Sequence, residues 1–185
     1  MDRTLVERAQ AGDEEAFTAL ATSVGSRLLA IAYRILRDLG LAEDAVQQTL
    51  VLAWRELPTL READRFDAWL HRLLVNACYR ESRRTHRWAS NIRVLPSADT
   101  AEPDASVTVM QRDQLDRGFR RLPPEQRAVF VFRHYLGLTE PEIAAQLELP
   151  LGTVKSRLHY ARRSMRAALE ADLRPAGEPS TERLA

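Results

Sequence analysis

Residues 138–169 read LTEPEIAAQLELPLGTVKSRLHYARRSMRAAL, and the fold class follows from how this stretch divides. Thr139 and Glu142 stand in the T-x-x-E spacing of a capping box, and Pro141 falls in the first helical turn, where its missing N–H costs nothing. Ile143, Ala144 and Leu147 give this short helix one apolar face, and Glu148, Leu149 and Pro150 interrupt it. A second helix starts near Gly152 and Thr153. At about 100° per residue, Val154, Leu158, Ala161, Met165 and Leu169 align on one stripe. Ser156, His159, Tyr160 and Arg163 fall opposite, with Arg157 and Arg162 on the flanks. A short capped helix, a turn and a longer basic helix make the helix-turn-helix pattern. Its polar face can meet base edges in a major groove while the flanking arginines reach phosphates. A merely solvated basic face would present the same residues on one helix; the three parts in order point to DNA.

Working outward, the pattern stays helical nearly everywhere, with no alternating strand pattern. Upstream, a helix breaks at Leu122-Pro123-Pro124 and resumes through Val129, Phe130 and Phe132 to Gly137. Residues 89–106 lose periodicity and gain proline, serine and acids, the composition of a linker. In the N-terminal half a first helix carries Leu5 and Val6 and stops at Gly12. Asp13 then caps a longer one that carries Phe17, Leu20, Leu28, Ile31 and Ile35 and ends near Gly40. A third spans about 42–57, stopped by Pro58, and a fourth about 64–79 with Phe66, Trp69, Leu70, Leu73, Leu74 and Ala77 facing inward. The expected fold class is all-α: two small helical domains on a flexible acidic linker, the C-terminal one a helix-turn-helix domain. The last residues, 171–185, have little to bury and read as a disordered tail.

Composition narrows the function. With 185 residues, 45 % apolar and 29 % charged, the chain can pack a core as a soluble protein. No stretch approaches the roughly 18 uninterrupted apolar residues of a membrane helix, and the charged N-terminus lacks a signal-peptide pattern. These features favour the cytoplasm without membrane insertion. Cys78, the single cysteine, excludes an internal disulfide framework and an all-cysteine metal site, and its helix position suits a buried structural role. The four histidines show no ligand-like spacing, so neither metal nor cofactor is expected, and no nucleophile–base pairing points to an enzyme. Net charge is only +1, yet it is unevenly distributed. One basic cluster holds Arg80, Arg83, Arg84, Arg87 and Arg93 against Glu81; another holds Lys155, Arg157, Arg162, Arg163 and Arg166. Asp99, Glu102, Asp104, Asp113 and Asp116 lie between them.

On the third helix Val46, Leu50, Ala53 and Leu57 form the expected core stripe. Asp44, Gln47, Gln48, Val51 and Arg55 line the other side, where a valine among acid and amides suggests a partner surface or an ordinary solvated face. Asn76 is one amide in the apolar run from Leu73 to Cys78, placed either to bond locally at the helix edge or to contact a ligand. Tyr79 and Trp88 can stack on a base or cover the core.

The run LPPEQRAVFVFRHYLGLTEPEIAAQLELPLGTVKSRLHYARRSMRAAL, from Leu122, resembles the C-terminal domain of extracytoplasmic-function sigma factors. Glu142-Ile143-Ala144 and Gly152-Thr153-Val154-Lys155-Ser156-Arg157 match that family's pattern residue by residue. Quorum-sensing-type regulators share part of it, but AEDAVQQTLVLAW and FDAWLHRLLVNACYRESRRTHRW resemble the family's first domain, in the expected order. The resemblance covers about residues 13–170. It implies sigma region 2 over 1–88, a linker over 89–106 that passes through the polymerase, and region 4 over 107–170. It implies a non-enzymatic factor that binds core RNA polymerase and reads the −10 and −35 promoter elements. Lys155, Ser156, Arg157, His159, Tyr160, Arg162 and Arg163 are then the −35 candidates, Tyr160 standing where members often carry arginine. Asn76, Arg80, Arg83 and Arg84 are the −10 candidates, placed at or just after the fourth helix, where the family captures a flipped base. Asp44, Gln47, Gln48 and Val51 would meet the polymerase clamp helices, Gln48 standing where many members have glutamate. The C-terminal domain would also touch the polymerase flap, and family members are commonly held by an anti-sigma factor. Two other readings stay open at the sequence level: an autonomous regulator that uses only the helix-turn-helix, and a helical adaptor whose basic patches are plain surface.

Overall fold

The computed structural model describes residues 2–91 and 116–172, and the described residues are helical with short connections. Helix α1 (Arg3–Gln10) starts at Asp2, whose carboxylate accepts from Thr4 N at 3.0 Å. The chain reverses at Gly12, whose φ of 92° suits a residue without Cβ. Asp13 caps α2 (Glu14–Leu36) by accepting from Ala16 N at 3.0 Å, with Glu14 and Glu15 at the positive end of the helix. By length and composition α2 would suffice to cross a membrane. Here its apolar side, with Leu20, Val24, Leu28, Ile31 and Ile35 at helical spacing, lies buried at the centre of the bundle.

The break after α2 falls earlier than Gly40. Arg37 turns left-handed at φ 61°, and Asp38 caps α3 (Leu39–Glu56) by accepting from Leu41 N at 2.8 Å. Gly40 therefore sits inside the first turn of α3: a capping carboxylate decides the boundary and the glycine does not. The buried line of α3 is Ala42, Ala45, Thr49 and Ala53, while Val46 and Leu50 are half-buried beside it. Small residues let α3 lie close to α2 and α4, and Thr49 satisfies its hydroxyl by donating to Ala45 O at 2.7 Å. Two 3-10 turns (Leu57–Thr59 and Ala63–Arg65) lead into α4 (Phe66–Asn91). Gln10 Nε2 donates to Leu57 O at 3.3 Å and to Leu60 O at 2.6 Å, tying α1 to the turn that follows α3.

Helix α4 runs twelve residues beyond the expected stop at Tyr79, because neither glycine nor proline interrupts it. It enters the stretch read as linker by three residues. The rest of that linker, the helical resumption expected at Val107 and the tail beyond Asp172 lie outside the described residues.

The C-terminal half contributes α5 (helical at 116–120), α6 (Pro124–His134), α7 (Glu140–Leu147) and α8 (Leu151–Asp172). Gly137, at φ 73°, turns the chain out of α6. The capping box of α7 is complete: Thr139 N donates to Glu142 Oε2 at 2.7 Å, and Glu142 N to Thr139 Oγ1 at 3.4 Å. Glu148 ends α7 in a left-handed turn. Val154, Leu158 and Ala161 then bury the inner side of α8.

The two halves are not separate bodies on a string. They share one core in which Phe132 of α6 is fully buried, its ring meeting the His71 imidazole of α4 edge-on at 5.9 Å. Gln146 Nε2 lies 2.8 Å from His71 Nδ1, and Arg72 pairs with Glu148. Arg37 pairs with Asp116, and the Arg34 guanidinium sits 3.9 Å over the Tyr135 ring.

Candidate nucleic-acid and polymerase interfaces

Helix α8 owes its exposed basic side to the burial of the opposite one. Lys155, Ser156, His159, Tyr160, Arg162 and Arg163 all face solvent, and Tyr160, 53 % exposed, meets the His159 ring edge-on at 5.7 Å. Ser156 Oγ donates to Thr153 O at 3.0 Å, so its proton is engaged while its oxygen can still accept from a base. Arg157 departs from this group. It is half-buried, and its Nη1 is enclosed without a hydrogen-bond partner, as is the Tyr79 hydroxyl of α4 whose ionisation it influences. In the docked arrangement Arg157 belongs to the seam between the halves.

On α3, Asp44, Gln47, Val51 and Arg55 are exposed, Val51 to 53 %. Trp54 and Leu39, which the sequence reading passed over, add exposed apolar surface beside them; Trp54 leans on Phe17 with ring centroids 4.9 Å apart. The signal for Trp54 was its place three residues beyond Val51, hence on the same helix face. Gln48 turns inward: half-buried, it donates through Nε2 to the Glu81 carboxylate of α4.

Asn76, Arg80, Arg83 and Arg84 are exposed, and all four lie within α4. The expectation that the arginines lie just after the fourth helix is thereby corrected, since an unbroken run of helix-compatible residues carries the helix past them. Asn76, Tyr79, Arg80 and Arg83 line a groove of about 550 Å³ together with Arg72 and Glu148. Glu148 comes from the α7–α8 turn, so the C-terminal half places a carboxylate among the cations of this groove. Cys78, behind it, is fully buried, and burial pushes its thiol up to about 12.

Burial also sets the charges along the seam. Desolvation lowers His71 to about 4, helped by the positive charge of Arg27 and opposed by Asp67. It lowers the Arg127 guanidinium of α6 to about 10, with Arg37 contributing repulsion. The Arg127 side chain is nearly enclosed and its Nε lacks a partner.

Comparison with known proteins matches residues 20–88 to sigma-70 region 2 and residues 112–165 to sigma-70 region 4. The RNA polymerase sigma-H factor of Pseudomonas aeruginosa is 30 % identical across 95 % of this chain and 97 % of its own length. The ECF RNA polymerase sigma factor SigL of Mycobacterium tuberculosis is 32 % identical over 89 % of this chain and 95 % of its own. Among solved structures, CnrH in complex with the cytosolic domain of CnrY is 29 % identical with a TM-score of 0.63, covering 92 % of this chain and 98 % of that one. RpoE in complex with the anti-sigma factor NepR, from Bartonella quintana, is 25 % identical with a TM-score of 0.64, over 84 % and 98 %. With both regions matched in order and relatives aligned over nearly their whole length, the chain belongs to the extracytoplasmic-function RNA polymerase sigma factors, non-enzymatic proteins that direct promoter-specific transcription initiation.

Proposed function

We propose that α8 reads the −35 element, with Lys155, Ser156, His159, Tyr160 and Arg163 against base edges and Arg162 on phosphates. Arg157 joins them once the seam opens. Asn76, Arg80, Arg83 and Arg84 receive the melted −10 strand, which needs cations along its backbone and room for an unstacked base. Asp44, Gln47 and Val51 meet the polymerase clamp helices, with Gln48 behind them, and the C-terminal domain meets the flap. In this reading region 2 spans 1–88, a flexible acidic linker 89–106 and region 4 107–170, and the protein works in the cytoplasm with the polymerase. An anti-sigma factor is a further proposed partner, supported by the relative solved with NepR.

The observation that carries this reading is the basic, polar outer face of α8, set opposite the buried Val154, Leu158 and Ala161 of a capped helix-turn-helix. The two elements lie about 25 base pairs apart, roughly 85 Å of B-DNA at 3.4 Å per step. A docked chain of this length has a radius of gyration of only about 16 Å. The halves must therefore separate to reach both elements, and core polymerase is the scaffold that holds them apart.

In vitro transcription with core polymerase and a promoter library tests the reading. The double variant His159→Ala/Arg163→Ala should retain core binding and lose promoter-directed transcripts by about tenfold or more, at roughly 1–3 kcal/mol per base contact. A wild-type protein that fails to associate with core polymerase in mild salt would overturn it.

A further inference from the structure

Glu81 is the one acid among the arginines of the last turns of α4, and it is only 2 % exposed. A carboxylate so enclosed is costly unless its charge is met. Its Oε1 accepts from Gln48 Nε2 of α3. Its Oε2 has no well-directed hydrogen bond and instead lies 2.9 Å from Arg84 Nη2 in an ion pair. The same Arg84 Nη2 stands 3.4 Å from Asp44 Oδ2, one helical turn before Gln48 on α3. The four side chains thus form a ladder across the α3–α4 seam: Gln48, Glu81, Arg84, Asp44. Gln48 and Asp44 belong to the proposed polymerase face and Arg84 to the proposed strand-binding face. Glu81 belongs to neither.

We infer that Glu81 is a positioning residue that couples the two faces: it anchors Arg84 so that, when polymerase engages Asp44, the guanidinium exchanges that carboxylate for a DNA phosphate. This rests on the assignment of the two faces given above. Arg84 is mostly exposed, so its bond to Asp44 is weak and exchangeable, whereas Glu81 is buried and stays. With one of its two anions engaged elsewhere, Arg84 keeps its place and regains an open side toward the strand. The ladder also accounts for the amide at position 48. A carboxylate there would stand within hydrogen-bonding distance of Glu81, two like charges in a poorly solvated seam.

The test uses the full chain in holoenzyme with core polymerase. Glu81→Gln keeps the shape and removes the charge; Gln48→Glu sets two carboxylates together; Gln48→Glu/Glu81→Gln restores one carboxylate and one amide in reversed order. Glu81→Gln is expected to hold core affinity within about twofold while slowing promoter opening about tenfold, because Arg84 loses the buried charge that anchors it. The log–log salt dependence of opening should shallow by roughly one phosphate contact. The double variant should recover most of the opening rate that Gln48→Glu loses. Opening and salt dependence unchanged in Glu81→Gln would overturn the inference, as would a double variant no better than its parents, or core affinity falling in step with opening. Asp44→Ala and Arg84→Ala keep the two failures distinct. If the first leaves core binding intact and the second leaves opening intact, the faces themselves are misassigned. If both act as assigned while Glu81→Gln does nothing, only the coupling is wrong.

Discussion

His71 carries a large charge penalty along the seam. Gln146 donates to its Nδ1, so the ring is neutral, and its Nε2 is enclosed without a partner. Because the folded value is lowered to about 4 from about 6.5, the unfolded chain binds a proton that the folded chain refuses between those limits. The stability at stake is fully present above pH 6.5 and falls as pH drops through the window, by roughly 3 kcal/mol at its lower end. Urea unfolding at pH 7.5 and pH 5 should therefore differ by about 2 kcal/mol more in the wild type than in His71→Gln. Equal differences would mean that the ring is not desolvated as described. Cys78 gives a second check at this scale. With its thiol raised to about 12, the native protein should resist iodoacetamide at pH 8 and label only when unfolded. Rapid native labelling would contradict its burial.

At the scale of the element, side-chain caps set the boundaries. Asp2, Asp13, Asp38 and Thr139 each accept from a backbone N–H of the helix they begin. Thr139→Ala should lower stability by about 1 kcal/mol, read as a shift in the urea midpoint with an unchanged slope. Thr139→Ser should restore most of it; a neutral Thr139→Ala would show that Glu142 alone holds the end of α7. The caps at Asp13 and Thr139, and the break at Pro150, were legible in the sequence because a cap and its target lie two or three residues apart. The cap at Asp38 was passed over in favour of Gly40, a residue whose freedom the turn does not use. The length of α4 was missed for a related reason: apolar periodicity fades after Tyr79, yet a helix persists on backbone hydrogen bonds where nothing breaks it.

For the whole molecule, the decisive feature is the docking of one half on the other. Phe132 is the centre of that contact, since the ion pairs around it are partly exposed and contribute little. Phe132→Ala should cost about 3–5 kcal/mol. Its effect should appear in solution scattering as an increased radius of gyration, because the seam loses its largest buried side chain. A destabilised variant of unchanged radius would mean that the halves are held elsewhere. Docking also bears on the groove of Asn76, Arg80 and Arg83, where Glu148 of the opposite half sits. The −10 strand proposed for that groove would have the whole of it only after the halves part.

What the chain declared by itself was its helical class, the capped helix-turn-helix with its basic outer side, and the family marks carried in both halves. Periodicity, capping and motif spacing are relations between neighbours a few residues apart, and a linear reading contains all of them. The tertiary structure alone decided which polar residues turn away from water. Gln48 turns in to meet Glu81, Arg157 turns in beside Tyr79, and Arg37, His71 and Arg72 bind the other half. Those pairs join residues 33 to 79 positions apart. Their partners are chosen by packing and desolvation across helices, and no periodicity along the chain records that choice.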